Sequence, residues 1–236
     1  MTMRMDFEIY LSPGYTVEDI LALEDRAGID MAVVMPQIQE RCDNEGLARA
    51  IKGQERLIGC ACVNPNYGGE AVEELRRAIK EWGLRGLKLM AVIQRYFIDS
   101  AVVDPLMREA RELGIPVTIH SGGSPCHPTE IAQVAARYPE VPIIMDHMGY
   151  PGHTAAAVEA ARKYSNLYLG TTRVAMEPAF VRKAVEELGP ERIVFGSNGP
   201  SIWPDLALES IRRLNLGDEA ERLILGENLA RIYGVR

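Results

Sequence analysis

The chain has 236 residues, of which 47% are hydrophobic and 25% are charged, and its formal net charge is −7. This length and hydrophobic content suffice for one large domain with a sizeable core. The negative charge argues against nucleic acid as a partner, and apolar runs much shorter than about 20 residues argue against a membrane span. The first residues lack the apolar stretch of a signal peptide, so we expect a cytoplasmic protein.

Short apolar runs that are rich in β-forming residues alternate with amphipathic helical segments along the whole chain. The strand patterns cover residues 5–11, 30–36, 57–63, 84–90, 114–120, 141–147, 166–172 and, with its loop, 192–200. The helical patterns cover residues 16–27, 44–54, 69–82, 104–113, 128–138, 154–164, 177–188, 204–214 and 218–233. Each strand is followed by at least one helix.

Eight repeats of strand and helix predict a parallel sheet with helical crossovers. Eight such units in a little under 250 residues match the size of a closed barrel. We therefore predict an α/β fold, namely a (β/α)8 TIM barrel that forms a single domain over residues 1–236. The alternative is an open doubly wound sheet, but no G-x-G-x-x-G sequence follows the first strand.

The cysteines are Cys42, Cys60, Cys62 and Cys126, and none of them forms a C-x-x-C pair. Cys60 and Cys62 are two residues apart in an apolar strand, so they should share one face of it. In a cytoplasmic protein of this size we expect buried thiols rather than disulfides or metal ligands.

Polar side chains are concentrated at the ends of the predicted strands. In a barrel, these ends meet at one face, where active sites lie. The polar residues expected at that face are Glu8, Tyr10, Lys88, His120, His127, Asp146, His147, Thr172, Arg173, Ser197 and Asn198. Three of the four histidines belong to this set, which is difficult to explain by histidines on a solvated surface.

Several of these residues also have an ordinary structural interpretation. Glu8 can simply pair with Lys88 in the barrel mouth, Tyr10 can serve packing, His127 can be a loop residue, and Asn198 suits a turn. The interpretation differs for Lys88, which stands between two leucines. A buried, unpaired ammonium is costly, so this lysine must be paired or functional.

Imidazole nitrogens combined with carboxylate and carboxamide oxygens form a donor set that suits Zn²⁺ or Mn²⁺. A metal held in this way polarises a carbonyl group or lowers the pKa of a bound water. A nearby histidine can then move protons. The spacing of these residues does not by itself establish that a metal is bound.

Five motifs point to a known family. They are G-L-R-G-L-K-L at 83–89, P-V-T-I-H at 116–120, D-H-M-G at 146–149, F-G-S-N-G-P at 195–200 and L-G-E-N-L-A-R-I-Y-G at 225–234. With them the chain resembles the amidohydrolase superfamily, in its amidohydrolase-related branch (amidohydrolase 2) of barrel hydrolases and decarboxylases. The resemblance extends nearly from end to end.

The resemblance implies roles for individual residues. Glu8 and Tyr10 stand where the family usually has two metal-binding histidines on the first strand. His120 corresponds to the ligand on the fifth strand, and His147 to a histidine that is a ligand or an acid/base. Asn198 replaces an aspartate that binds the metal or handles the proton.

From this resemblance we expect metal ligands at Glu8, His120 and His147. The expected catalytic residues are His147, Lys88 and Asn198. The expected substrate-binding residues are Tyr10, Lys88, His127 and Arg173. Asparagine cannot act as a general base and a neutral tyrosine is a poor ligand, so the metal site is degenerate relative to the family pattern.

Three hypotheses follow. In the first, the chain is a metal-dependent hydrolase or non-oxidative decarboxylase with Zn or Mn. The second is a metal-free family member that uses His120, His147 and Lys88, and the third is a non-catalytic barrel that binds a small molecule. The cationic groups at the rim favour a small anionic substrate, such as a carboxylate, in all three. The family often forms dimers, so a homodimer is one expected state.

Overall fold

In the computed structural model, which describes residues 3–235 apart from the side chain of Met176, parallel strands alternate with helices. The strands are β1 (Met5–Leu11), β2 (Met31–Pro36), β3 (Leu57–Gly59), β4 (Ala61–Cys62), β5 (Leu87–Leu89), β6 (Val117–Ile119), β7 (Ile143–Met145), β8 (Leu167–Gly170) and β9 (Ile193–Val194). The α-helices are α1 (Val17–Ala27), α2 (Asn44–Ala50), α3 (Gly69–Lys80), α4 (Ala91–Gln94), α5 (Asp104–Leu113), α6 (Pro128–Arg137), α7 (Thr154–Lys163), α8 (Pro178–Leu188), α9 (Pro204–Arg212), α10 (Asp218–Arg222) and α11 (Asn228–Tyr233).

The strands pair in parallel and in chain order, from β1 to β3 and from β4 to β9. β3 and β4 are the two halves of the predicted third strand, and they are separated at Cys60, whose amide still donates to Val34 O at 2.8 Å. The ring closes where Ser197 N donates to Asp6 Oδ1 at 2.7 Å and Tyr10 N donates to Gly199 O at 2.9 Å. This order and closure confirm the predicted (β/α)8 barrel, and the open-sheet alternative is wrong.

The predicted helices are present, with ends that shift by a few residues. Thr16 caps α1 as predicted, because its hydroxyl accepts the Asp19 amide and the Asp19 carboxylate accepts the Thr16 amide. The predicted last helix, 218–233, consists of α10 and α11 joined by a π-helical segment, Leu223–Glu227. The short helix α4 was not predicted. No helix among residues 3–235 is long and apolar enough to cross a membrane.

Two apolar layers hold the barrel together. A larger cluster lies between the strands and the surrounding helices, and a smaller one fills the barrel interior. The interior cluster consists of Met5, Phe7, Val33, Met35, Ile58, Cys60, Ile144, Val194, Leu229, Ala230 and Tyr233. Asn228 anchors α11 across the amino end of the barrel, since its buried amide donates to Pro190 O at 2.8 Å and Ile193 O at 2.7 Å. The polar site therefore lies at the opposite, carboxyl end.

Helix α1 buries the carboxyl group of Glu24. This residue is 1% exposed, and neither of its carboxyl oxygens has a hydrogen-bond partner among the described residues 3–235. Burial, with a further contribution from the charge of Asp6, raises the pKa of Glu24 to about 10. The native state thus binds a proton that the unfolded state releases above its ordinary pKa of 4.5. Stability contributed by this group is complete below that value and falls as pH rises towards 10.

Replacing Glu24 with glutamine should therefore stabilise the protein at pH 8 by about 2 kcal/mol, and the gain should disappear near pH 4.5. Urea unfolding followed by circular dichroism at several pH values measures this. The matched control is Glu18→Gln, an exposed glutamate of the same helix, which should change stability by less than about 0.5 kcal/mol. Equal effects of both variants at pH 8 would contradict the prediction.

Candidate active site

A buried lysine links three parts of the barrel at its carboxyl end. Lys88 of β5 is fully buried, and its Nζ donates to Glu8 Oε1 at 2.6 Å and to the carboxylate of Asp146. Burial alone lowers the pKa of Lys88, but the charges of Asp146 and Glu8 outweigh it and raise the pKa above the ordinary value. The side chain is therefore an ammonium ion held between two carboxyl groups, as its position between two leucines required.

Glu8 lies at an irregularity in β1. The register of β1 against β2 shifts between Asp6 and Ile9, and Glu8 has a left-handed backbone with φ of 66°. Tyr10 OH donates to Glu8 Oε1 at 2.6 Å, whereas Oε2 is buried and has no hydrogen-bond partner among residues 3–235. Burial and the neighbouring charge of Asp146 raise the pKa of Glu8 to about 7.

Asp146 follows β7 directly and faces both site histidines. Its Oδ1 accepts the Ser121 amide at 2.8 Å and lies 3.6 Å from His120 Nδ1 and 3.6 Å from His147 Nε2. Burial raises the pKa of Asp146, but His147 and Lys88 more than offset this, so the pKa lies well below the ordinary value. One oxygen thus faces the imidazoles while the other faces the ammonium group.

The two histidines approach edge to face, with ring centroids 4.9 Å apart and an interplanar angle of 80°. His147 is 4% exposed, and its Nδ1 lies 2.9 Å from Thr172 Oγ1. Burial lowers the pKa of His147 to about 3, so the ring is neutral at pH 7. The His120 side chain is 24% exposed, yet its Nδ1 is buried and has no hydrogen-bond partner in the part of the chain that the structure describes.

His120, Asp146 and His147 form a group that can hold a metal ion. One ligand atom from each residue lies within 4.8 Å of the other two. A carboxylate and neutral imidazole nitrogens are ligands that Zn²⁺ and Mn²⁺ accept. The buried Nδ1 of His120 without a partner fits this use, because a buried polar atom normally has a partner.

Asp146 is the residue of this group that the sequence did not single out as a ligand, although it stood at a strand end. Glu8, which was expected as a ligand, is instead bonded through Oε1 to Lys88 and Tyr10. Its free Oε2 lies 3.8 Å from His147 Nδ1, at the edge of the ring away from Asp146. A metal role for Glu8 therefore stays a prediction.

The other predicted residues lie around this centre. Asn198 is buried after β9 with φ of 67°, and within residues 3–235 the hydrogen bonds of the lysine, carboxyl and imidazole groups of the site go to other residues. Arg173 is exposed after β8, and its charge contributes to the low pKa of His147. His127 caps α6, and its Nε2 lies 3.2 Å from His153 Nδ1.

Comparison with known proteins places this barrel in a family. The family model described as amidohydrolase matches residues 8–235. No curated protein sequence matches the chain. Among solved structures, an uncharacterized TIM-barrel protein from Bordetella bronchiseptica has 18% identity and a TM-score of 0.85, with 99% of each chain covered.

Two decarboxylases share the same fold. The 5-carboxyvanillate decarboxylase from Sphingomonas paucimobilis has 16% identity and a TM-score of 0.80, with all of both chains covered. A dihydroxybenzoic acid decarboxylase from Polaromonas sp. JS666, with bound manganese and 2-nitroresorcinol, has 18% identity and a TM-score of 0.77, covering 100% of this chain and 98% of that one. At these identities the likeness shows a shared fold. Since the family model matches nearly the whole chain, the protein belongs to the amidohydrolase family.

Proposed function

We propose that the chain is an enzyme that removes the carboxyl group of a small, hydroxylated aromatic acid without oxidation, at the carboxyl end of its barrel. The observation that carries the proposal is the group of His120, Asp146 and His147, with the buried, unpartnered Nδ1 of His120. We further propose that this group holds Mn²⁺ or Zn²⁺. The bound metal would supply a Lewis acid that stabilises negative charge on the substrate.

The remaining residues favour decarboxylation over hydrolysis. Hydrolysis needs a general base that activates water. Asn198 cannot serve as that base, Asp146 accepts hydrogen bonds from Lys88 and the Ser121 amide, and in this proposal His120 and His147 are metal ligands. Decarboxylation instead needs a site that orients the acid and returns a proton to the carbon. Glu8, whose pKa burial and the charge of Asp146 raise to about 7 and whose Oε2 lies 3.8 Å from His147 Nδ1, is the group we assign to that proton transfer.

The decarboxylases of the same fold support this substrate class, because their names give 5-carboxyvanillate and dihydroxybenzoic acid as substrates. The cationic side chains at the rim suit an anionic aromatic acid. Lys88 is buried between Glu8 and Asp146. Its ammonium group therefore holds these two carboxyl groups in place and is not exposed to solvent. Arg173 is exposed and is the residue we assign to the substrate carboxylate.

A second candidate is hydrolysis of a lactone or amide without a metal. The observation that favours it is the Lys88 ammonium, which already places a positive charge between Glu8 and Asp146. In that case His120 and His147 carry out the acid/base steps. The two candidates differ in their response to chelators.

The test uses the full chain, purified without chelator or added metal. Elemental analysis should give near-stoichiometric Mn or Zn, and dihydroxybenzoic acids or 5-carboxyvanillate should release CO2 in a metal-dependent manner. Metal below about 0.1 equivalent, with no affinity on titration, would overturn the metal assignment. Turnover of lactones or amides that persists in EDTA would favour the second candidate. Ligand binding without turnover of any substrate would indicate a binding protein.

Arg173→Met should raise KM for the acid by about 10-fold to 100-fold and leave kcat within about threefold, because a charge-assisted hydrogen bond contributes about 1.5–3 kcal/mol. Steady-state kinetics measures both constants. Arg95→Met is a matched control, because Arg95 is also exposed. Its backbone likewise has a positive φ, 58° against 60° for Arg173. An unchanged KM for Arg173→Met, or an equal rise for the control, would contradict the assignment.

A further inference from the structure

Two cysteines that the proposed reaction does not use are held together at the barrel rim. Cys62 is the last residue of β4, and Cys42 lies in the loop between β2 and α2. The buried side chain of Asn44 accepts the Cys62 amide at 2.8 Å and donates to Cys62 O at 3.0 Å. Asn44, two residues after Cys42, therefore forms two hydrogen bonds with the backbone of Cys62.

Contacts of Gln94 also hold the loop that carries Cys42 close to Cys62. The buried Gln94 Nε2 donates to Gln39 O at 3.2 Å and lies 3.7 Å from Cys62 Sγ. Cys42 Sγ in turn accepts the Gln39 amide at 3.4 Å. The loop that carries Cys42 is thus attached to Cys62 on both sides of the thiol.

The two thiols differ in exposure and acidity. Cys42 is half-buried and lines a surface cavity together with Tyr67 and Glu70. The neighbouring Cys62 side chain is the largest cause that lowers the pKa of the Cys42 thiol. For Cys62, the neighbouring Cys42 side chain and burial raise the pKa well above the ordinary value. Because the thiolate is the nucleophile, Cys42 is the reactive member.

The remaining cysteines provide the contrast. Cys60 and Cys126 are buried, and burial raises the pKa of each thiol to about 12. The expectation of buried thiols therefore describes Cys60, Cys62 and Cys126, whereas Cys42 departs from it because its loop lies at the surface.

We propose that Cys42 and Cys62 are a peroxide-reactive dithiol that closes a reversible disulfide. The Cys42 thiolate attacks one oxygen of hydrogen peroxide or an alkyl hydroperoxide, which breaks the O–O bond and gives a sulfenic acid and water or an alcohol. The Cys62 sulfur then attacks the sulfenic sulfur. The S–S bond forms, and hydroxide leaves as water with the thiol proton. Two thiols are oxidised and one peroxide is reduced, and an external thiol reverses the reaction.

Oxidation of Cys42 and Cys62 to a disulfide would affect β4, a strand that borders the candidate active site. Cys62 stands beside Lys88 in the register of β4 and β5. A disulfide would fix the 37–43 loop covalently to the strand next to the buried ammonium group. The dithiol chemistry itself does not depend on the proposed reaction, so it is tested without a substrate.

The experiment exposes the reduced full chain to a small excess of hydrogen peroxide, followed by thiol counting and peptide mass spectrometry. Two of the four thiols should disappear, in a Cys42–Cys62 linked peptide that dithiothreitol separates. Cys42→Ser should slow thiol loss at least about tenfold. In Cys62→Ser, Cys42 should instead be trapped as a sulfenic acid by dimedone.

Cys126→Ser is the matched control and should still form the linked peptide. Thermal unfolding of each variant checks that it is folded. The proposal is overturned if the wild type loses thiols as slowly as Cys42→Ser. It is equally overturned if Cys42 is oxidised to a sulfinic acid without disulfide formation, or if the disulfide joins two chains.

Discussion

Replacing Lys88 with methionine is expected to lower the free energy of unfolding at pH 7 by about 3–5 kcal/mol, the largest stability effect we predict. The methionine fills the space of the lysine stem, but it leaves Glu8 and Asp146 buried without the cation that joins them. An uncompensated buried charge is far more costly than a missing ion pair at the surface.

The pH dependence of this loss follows from the same contacts. Without Lys88, the pKa of Glu8, already raised to about 7, should rise further, and the pKa of Asp146 should rise from its low value. Groups with raised pKa contribute stability that is present at low pH and lost as pH rises, so the deficit should grow from pH 5 to pH 8. Urea unfolding of both proteins across this range measures the difference.

Two further variants make the test specific. The double variant Glu8→Gln/Lys88→Met removes one buried negative charge and should recover part of the lost stability. Lys52→Met, at an exposed lysine, should change stability by less than about 0.5 kcal/mol. A loss below about 1 kcal/mol for Lys88→Met would show that the ammonium group does not hold the site together.

The second large effect concerns metal binding and turnover. His120→Ala is expected to weaken Mn²⁺ or Zn²⁺ binding at least about 100-fold and to lower kcat/KM by about a thousandfold. Among residues 3–235, His120 Nδ1 has no hydrogen-bond partner, so its removal breaks no hydrogen bond made by that atom. The free energy of unfolding without metal should therefore change by less than about 1 kcal/mol.

Calorimetric metal titration and denaturant unfolding separate affinity from stability. His153→Ala is the matched control, since His153 is also a partly exposed histidine but pairs with His127 outside the metal group. It should keep the metal affinity of the wild type. Undiminished binding in His120→Ala would remove the proposed metal site, and loss of turnover with intact binding would assign His120 to the substrate instead.

The barrel could be predicted because its determinants are local and repeated. Apolar periodicity indicated each strand and helix, and eight repeats left little choice of topology. The break of the third strand at Cys60 and the helix α4 could not be predicted in this way, because no apolar pattern marks either one. The helix α4 has only four residues, which is too short for a period of 3.6 to be recognised.

The sequence predicted the composition of the candidate site and offered the Glu8–Lys88 pair as one interpretation, but it did not predict the contacts of Asp146. Strand alternation would send Asp146 and His147 to opposite faces. The chain instead leaves the strand into a tight turn, with φ of 54° at His147 and 49° at Met148, and both side chains face the site. A bulge with a left-handed residue has the same effect at Glu8. Such turns depend on contacts with distant strands, which a local pattern does not contain.

The residues with a left-handed backbone conformation at the carboxyl face determine where stabilising substitutions should be made. Glu8, His147, Arg173 and Asn198 adopt a backbone that costs a non-glycine residue about 1 kcal/mol or more. Glu8 lies at the irregularity within β1, and the other three follow barrel strands at the carboxyl face. Glycine at these positions would relieve that cost but delete the side chain. A campaign for thermal tolerance should therefore leave the carboxyl face unchanged and direct its substitutions to the helices and the amino face, where Glu24 is a suitable first target.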